Sequence, residues 1–294
     1  MKKITFKSGE LTLAGNLYLP TDFELGKAYQ AVIVAGSLTS VKEQMSAIYA
    51  KGLAKKGFIA LAFDYANYGE SEGLPRQFED PAQKLNDLKA AITFLENQNY
   101  IESIGALGIC TSGGNMAYLA ADDKRLKAMA TVAAWLPNKE VLPLLYGSKE
   151  RVTELKAMGE KAREVYANTS ENKIISAYSN IDKTASHFGP MEYYMDNTRG
   201  GGVKTWKNEF AVMSWPTWLG FDPTTKAKNI DTPTLIVHSD NSALPQNAKD
   251  FYNNLKGEKE LAWLEGDHFD FYDQKSKVDE AIKRTALFFD NHLK

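Results

Sequence analysis

Two kinds of apolar spacing alternate along this chain. "KITFKS" and "LTLAGNLYLP" place apolar and polar residues at period two on either side of Ser8-Gly9-Glu10, which predicts an antiparallel hairpin. Six later runs are short and almost continuously apolar: "AVIVAG" (31–36), "FIALAFD" (58–64), "SIGALGI" (103–109), "AMATVAAW" (128–135), "PTLIVHS" (233–239) and "ELAWLE" (260–265). Strands covered on both faces read this way.

Between these runs the spacing becomes helical. Residues 41–56 put Met45, Ile48, Leu53 and Ala54 near one stripe and stop at Gly57, and residues 79–98 repeat Leu85, Leu88, Ile92 and Leu95. Further helices are predicted directly after Cys110, over about 246–255 and over about 275–292. Strand and helix in regular alternation predict a parallel sheet with right-handed crossovers. Residues 137–222 break the rhythm. They hold an amphipathic helix around 148–168 and then aromatic-rich stretches, "HFGPMEYYMDN" and "KTWKNEFAVMSWPTWLGFDP", without a convincing strand. This predicts a core of residues 1–136 and 223–294, with 137–222 inserted as a cap over the carboxyl edge of the sheet, where ligands of such folds bind. A second helical domain with an ordinary core of its own fits the same pattern.

Composition narrows the class. Hydrophobic residues make up 44% of 294, enough for a large core, and 35 basic against 37 acidic residues leave a formal charge of −2. Neither that balance nor any local charge run points to nucleic acid. "MKKITFKSGE" has no apolar run behind its lysines, and no stretch has the length of a membrane span. One cysteine cannot make an internal disulfide, so the chain reads as soluble and cytoplasmic, with no membrane partner. No paired cysteines or clustered histidines suggest a metal, and "RGGGV" (199–203) falls short of a phosphate loop and reads as a flexible loop, so neither metal nor cofactor is expected.

The candidate chemistry lies in "LGICTSGG" (107–114). A nucleophile on a sharp strand-to-helix turn needs small residues two before and two after it. Cys110 meets this with Gly108 and Ser112; Ser112 meets it with Cys110 and Gly114. The apolar run ends at Ile109, which places the turn at Cys110 and leaves Gly113 and Gly114 to let the following helix press close. The positive end of that helix favours a thiolate. Of the four histidines, His238 lies in a strand run, His292 in the terminal helix and His187 in the cap; His268, in the polar loop of "WLEGDHFDFYD", stands where it can reach a nucleophile on a central strand.

Taken with "VAGSLTSVKEQM" (34–45), "FDYANYGESEG" (63–73), "VHSDNSALPQNAKDFY" (237–252) and "GDHFDFYDQ" (266–274), these features resemble the α/β-hydrolases, in particular the dienelactone-hydrolase-like branch with a cysteine elbow. More loosely, they resemble the fungal polyketide transferases of that superfamily. The resemblance implies an eight-stranded, mostly parallel sheet with helices on both faces and a helical cap before the penultimate strand. It implies Cys110 as nucleophile and His268 as base. Asp240 is the expected orienting acid, although counting back from Pro245 reaches Asn241, which stands as the neutral alternative. It further implies oxyanion donors from the amides of Thr111 and of Leu38 or a neighbour in Ser37-Leu38-Thr39. The segment Asp64 to Gly73 lacks the usual Arg-Gly and reads as a structural turn bordering the pocket. The expected activity is hydrolysis of an ester, lactone or thioester of a small apolar or aromatic acyl group through an acyl-enzyme. An acyltransferase and a catalytically silent small-molecule binder are the rivals. The expected partner is a small molecule, with room left for a homodimer.

Overall fold

The computed structural model describes residues 1–294. The period-two hairpin forms as β1 (Lys2–Ser8) and β2 (Leu11–Tyr18), paired antiparallel in continuous register from Lys2 opposite Leu17 to Ser8 opposite Leu11. The six apolar runs form β3 (Tyr29–Ala35), β4 (Ile59–Phe63), β5 (Ile101–Ile109), β6 (Leu126–Val132), β7 (Thr234–His238) and β8 (Lys259–Trp263). All eight join one sheet in the order β1-β2-β4-β3-β5-β6-β7-β8, antiparallel only where β1 and β2 enter. This is the α/β-hydrolase fold. Every residue of β4 and β7 is buried, which explains why these strands are apolar throughout rather than alternating.

Helices cover both faces. On one lie α1 (Met45–Ala54) and α6 (Lys275–His292), whose Leu53 and Phe289 join a buried cluster of 48 residues. The opposite face carries α2 (Pro81–Glu96), α3 (Thr111–Asp122) and α5 (Pro245–Asn254). Their Leu88, Met116 and Phe251 join a second cluster of 32. The Asp80 carboxylate caps α2 by accepting from the Ala82 amide at 3.0 Å, with Pro81 as the first helical residue.

Residues 137–222, the expected cap, lie between β6 and β7. Their long helix, α4 (Lys149–Thr169), is capped by the Ser148 hydroxyl, which accepts from the Arg151 amide at 3.1 Å. The remainder is less helical than expected: Ile174–Ile175 pair with Phe210–Ala211, and Tyr178–Ser179 pair with His187–Phe188. Such two-residue pairings are too short to leave a period in the sequence. Cap residues Trp206, Phe210, Trp215 and Trp218 belong to the same cluster as α1 and α6, so the insertion shares the core of the sheet rather than holding one of its own.

"RGGGV" is not a flexible loop. Gly200–Gly202 form a tight turn in which a Cβ on Gly200 would sit 2.0 Å from the Tyr193 ring, and Arg199 forks onto Asp273 at 2.6 and 2.8 Å. The glycines are there for close packing.

Candidate active site

The register brings the site together. Ala35 pairs with Gly108, Ile109 with Val132, Val132 with Val237, and His238 with Trp263. The segments leaving β3, β5, β6, β7 and β8 therefore emerge along one edge. The order around β3 and β5 reverses there, which opens a crevice at the centre of the sheet.

Cys110 stands at the end of β5 and caps α3, with φ 54° and ψ −119°. A non-glycine residue holds such a conformation only when its surroundings compel it. They do so here: the Cys110 amide donates to the Val132 carbonyl at 3.1 Å, and the Cys110 carbonyl accepts from the Gly113 and Trp135 amides at 2.9 and 2.8 Å. Gly108 makes the turn sterically feasible, since a Cβ there would lie 2.3 Å from the Ser112 carbonyl oxygen. Ser112 is fully buried with its hydroxyl 3.1 Å from that of Tyr65, on the side away from the crevice. The elbow is therefore framed on Cys110.

The sulfur is nearly enclosed. Burial raises its pKa, and the nearby Tyr272 hydroxyl, Thr111 hydroxyl and amides of Thr111 and Leu38 oppose that rise; the Thr111 hydroxyl lies 3.8 Å from the sulfur. The Thr111 and Leu38 amides thus lie close to the sulfur, and both residues line the cavity. The Leu38 peptide is fixed by the cap, because Tyr178 donates to its carbonyl at 2.8 Å. Ser37 is less central than expected. Its hydroxyl bonds the Tyr194 hydroxyl at 2.5 Å and its side chain is absent from the cavity wall.

Behind this loop, Lys42 is buried on Asp64. Its amide donates to Oδ1 at 2.7 Å and its Nζ to Oδ2 at 2.8 Å, while Glu70 takes a further bond from Nζ at 2.6 Å. Burial opposes the ammonium charge, yet Asp64 and its neighbours outweigh it and hold the Lys42 pKa above its usual value. The segment Asp64 to Gly73 is the structural turn expected, but none of it lines the cavity.

The histidine side departs from expectation. His268 lines the same cavity as Cys110, yet it bonds no carboxylate. Its Nδ1 accepts from the Ala243 amide at 3.2 Å and its Nε2 lies 3.0 Å from the hydroxyl of Tyr272, which lines the same cavity as Cys110. Asp240 does not orient it. That side chain is 72% exposed and paired with Lys249 at 3.0 Å, because β7 ends at His238 and the chain turns outward immediately after. Asn241 does not orient it either: its amide donates to Asp267 at 3.0 Å. Burial, and secondarily His238, depress the His268 pKa to about 3.

The cavity measures about 250 Å³ and is walled by Leu38, Cys110, Thr111, Trp135, His187 and Met191 together with Tyr178, Tyr194, His268 and Tyr272. No acidic or basic side chain other than the two histidines faces it, and both rings are held neutral: burial also lowers the His187 pKa, to about 4. Tyr178 and Tyr194 stack at 3.7 Å, and His187 packs edge-on to Trp135 and Trp218. Sequence reasoning missed Tyr272, Tyr194 and His187. Tyr272 had a signal, standing four residues after His268 at helical spacing on the short helix Asp270–Asp273. His187 and Tyr194 lie in the aromatic stretch "HFGPMEYYMDN", which suggested a pocket lining without saying which of its side chains reach the cavity, since that depends on how the insertion folds back.

This fold, with a strained strand-to-helix elbow at Cys110 opening on the crevice, defines an α/β-hydrolase. The chain belongs to the X-Pro dipeptidyl-peptidase (S15) family, which it matches over residues 13–270. It is similar to the uncharacterized protein YcjY of Escherichia coli (strain K12), 31% identical with 99% of each chain covered. It is also similar to the thiohydrolase aneE of Aspergillus aculeatus, 40% identical across 42% of this chain and 37% of that one. The α/β-hydrolase GrgF from Penicillium sp. sh18 shares the fold, with a TM-score of 0.82 at 22% identity over 99% of this chain and 98% of its own. No helix is long and apolar enough to cross a membrane.

Proposed function

We propose that this hydrolase cleaves thioesters of small, uncharged acyl groups through an acyl-enzyme on Cys110, with a cysteine elbow of the dienelactone-hydrolase type. The observation that carries the reading is the elbow itself: Cys110 held at φ 54° at the head of its helix, with Leu38 and Thr111 beside it in the cavity wall. Attack by its sulfur on an acyl carbonyl places the developing oxyanion beside the amides of those two residues, each worth roughly 2.7–4 kcal/mol in such sites.

The leaving group follows from the histidine side. A ring without a carboxylate partner, its pKa near 3, is a poor source of imidazolium at neutral pH. Amide and alkyl ester cleavage need strong protonation of the departing atom. A thiol, with a pKa of about 8.5, departs with little help. Thioesters therefore suit this site better than the peptide bond in the family's name, and the thiohydrolase relative is consistent with that choice. The cavity is smaller than the roughly 300–1,000 Å³ that hold drug-sized ligands, which favours a short chain or a single ring as the acyl part.

The test is intact-protein mass spectrometry during turnover of a short acyl thioester of N-acetylcysteamine. The expected result is a transient acyl adduct on Cys110, with no turnover and an almost unchanged melting temperature in Cys110→Ala. Undiminished turnover in that variant would overturn the assignment.

A further inference from the structure

We propose that the Tyr272 hydroxyl carries the proton between Cys110 and the departing or attacking group, and that His268 is a positioning residue that aims it. The proposal rests on the acyl-enzyme reading above and deepens it.

The hydrogen bonds around His268 have a fixed direction. A peptide N–H can only donate, so the Ala243 amide at 3.2 Å occupies the lone pair of Nδ1. The neutral ring must then carry its hydrogen on Nε2, which donates to the Tyr272 hydroxyl at 3.0 Å. No lone pair remains to receive a proton from the thiol or from water, and a second ring proton would set one N–H against another. The other titratable groups around the ring offer no alternative. His238, from the end of β7, donates from Nε2 to the Ala243 carbonyl at 3.2 Å and stays neutral down to about pH 4, while burial raises the pKa of both Tyr272 and Cys110. Both histidines thus hold Ala243, one at its carbonyl and one at its N–H, and the remaining nitrogen of His238 is buried outside the cavity.

The Tyr272 hydroxyl has what His268 lacks. One of its lone pairs accepts from Nε2, which leaves a second lone pair and its own hydrogen for the sulfur and the substrate. The phenol is 1% exposed and packs edge-on to Tyr193 at 5.0 Å. Its helix is held to the cap by the fork of Arg199 on Asp273. In acylation, the Cys110 sulfur bonds the acyl carbon and the carbon–sulfur bond to the leaving thiol breaks. The thiol proton passes to the Tyr272 oxygen as the phenol's own hydrogen passes to the departing sulfur. In deacylation, water adds to the acyl carbon and gives a proton to the Tyr272 oxygen, the bond from that carbon to the Cys110 sulfur breaks to release the carboxylic acid, and the phenol hydrogen returns to the sulfur. Protons balance in both steps, and His268 keeps one hydrogen throughout.

The experiment follows acylation and release on Cys110 by rapid-quench mass spectrometry with the same thioester. Tyr272→Phe is expected to slow both steps by about a hundredfold or more, with iodoacetamide still labelling Cys110. His268→Gln, whose side-chain N–H₂ replaces the Nε2 donor, is expected to stay within about tenfold of native while His268→Ala falls toward the Phe variant. Native kcat/KM should be level from about pH 5 to about pH 8. Adduct formation at native rate in Tyr272→Phe, or a native profile that falls below about pH 6.5 and is flattened by His268→Gln, returns the base to the ring and overturns the shuttle alone. If the Phe variant does not fold, the Gln, Ala and pH results decide. No adduct in the native protein overturns both readings.

Discussion

Each half of this site is held by a lysine–aspartate pair, and the two pairs could hardly differ more. Lys42 and Asp64 anchor the oxyanion loop with side chains 1% and 0% exposed, their polar atoms answered by further hydrogen bonds. Lys249 and Asp240 sit at the start of the histidine side with side chains 42% and 72% exposed. The first pair makes a rigid nucleophile side with its amides fixed. The second spends the carboxylate expected for catalysis on the surface and leaves the histidine to a peptide N–H. The Cys110 half follows the general plan of its fold, and the other half sets a tyrosine against the imidazole in place of a carboxylate.

That contrast can be tested from its strongest side downward. Lys42→Met leaves Asp64 buried without its partner and should cost about 3–5 kcal/mol of stability, measured by denaturant unfolding. Gly108→Ala drives a methyl into the Ser112 backbone. A loss of about 1–3 kcal/mol is expected, with about a hundredfold in turnover, because the elbow must shift. Loss of stability without loss of turnover in this variant would separate the elbow from the chemistry.

The third test is pH. His187, His238 and His268 have folded pKa values of about 4, 4 and 3, below the roughly 6.5 of the unfolded chain. Between these values the unfolded state binds more protons, so their contribution is complete above about pH 6.5 and is lost as pH falls toward 4. The slope is at most about 1.4 kcal/mol per pH unit for each ring. Thermal melts across that window should decline steadily, and a flat profile would place the rings in contact with water. The smallest effect belongs to Asp240→Asn. Removing a true triad acid costs about 10⁴ in kcat, whereas a surface pair of this kind should leave activity within about twofold and stability within about 1 kcal/mol.

Much of this was legible in the sequence, for reasons that can be named. Strands buried on both faces must be apolar throughout, which accounts for the inner runs, whereas β8, read the same way, lies at the sheet edge with no residue fully buried; all six runs mark real strands, with ends that differ by a few residues. The run "AMATVAAW" ends early because Ala133 turns to φ 45° and sends Trp135 into the cavity wall. The helix expected from residue 41 starts at Met45 because the residues before it form the oxyanion loop. Cys110 was legible because its turn requires glycine at a fixed offset, a local constraint. Asp240 was misread because reach between two loops depends on where each chain turns, and one outward turn after His238 separates an aspartate from its histidine.

The linear pattern by itself determined the order of strands and helices, the elbow and the place where a cap is inserted, since each follows from backbone sterics and burial acting over a few residues. Only the folded chain decided what surrounds the sulfur. Tyr178, Tyr194, Tyr272 and His187 arrive from segments up to 162 residues away from Cys110. The tautomer of His268 was set there too, by a single peptide N–H that meets an imidazole nitrogen across the gap between two loops.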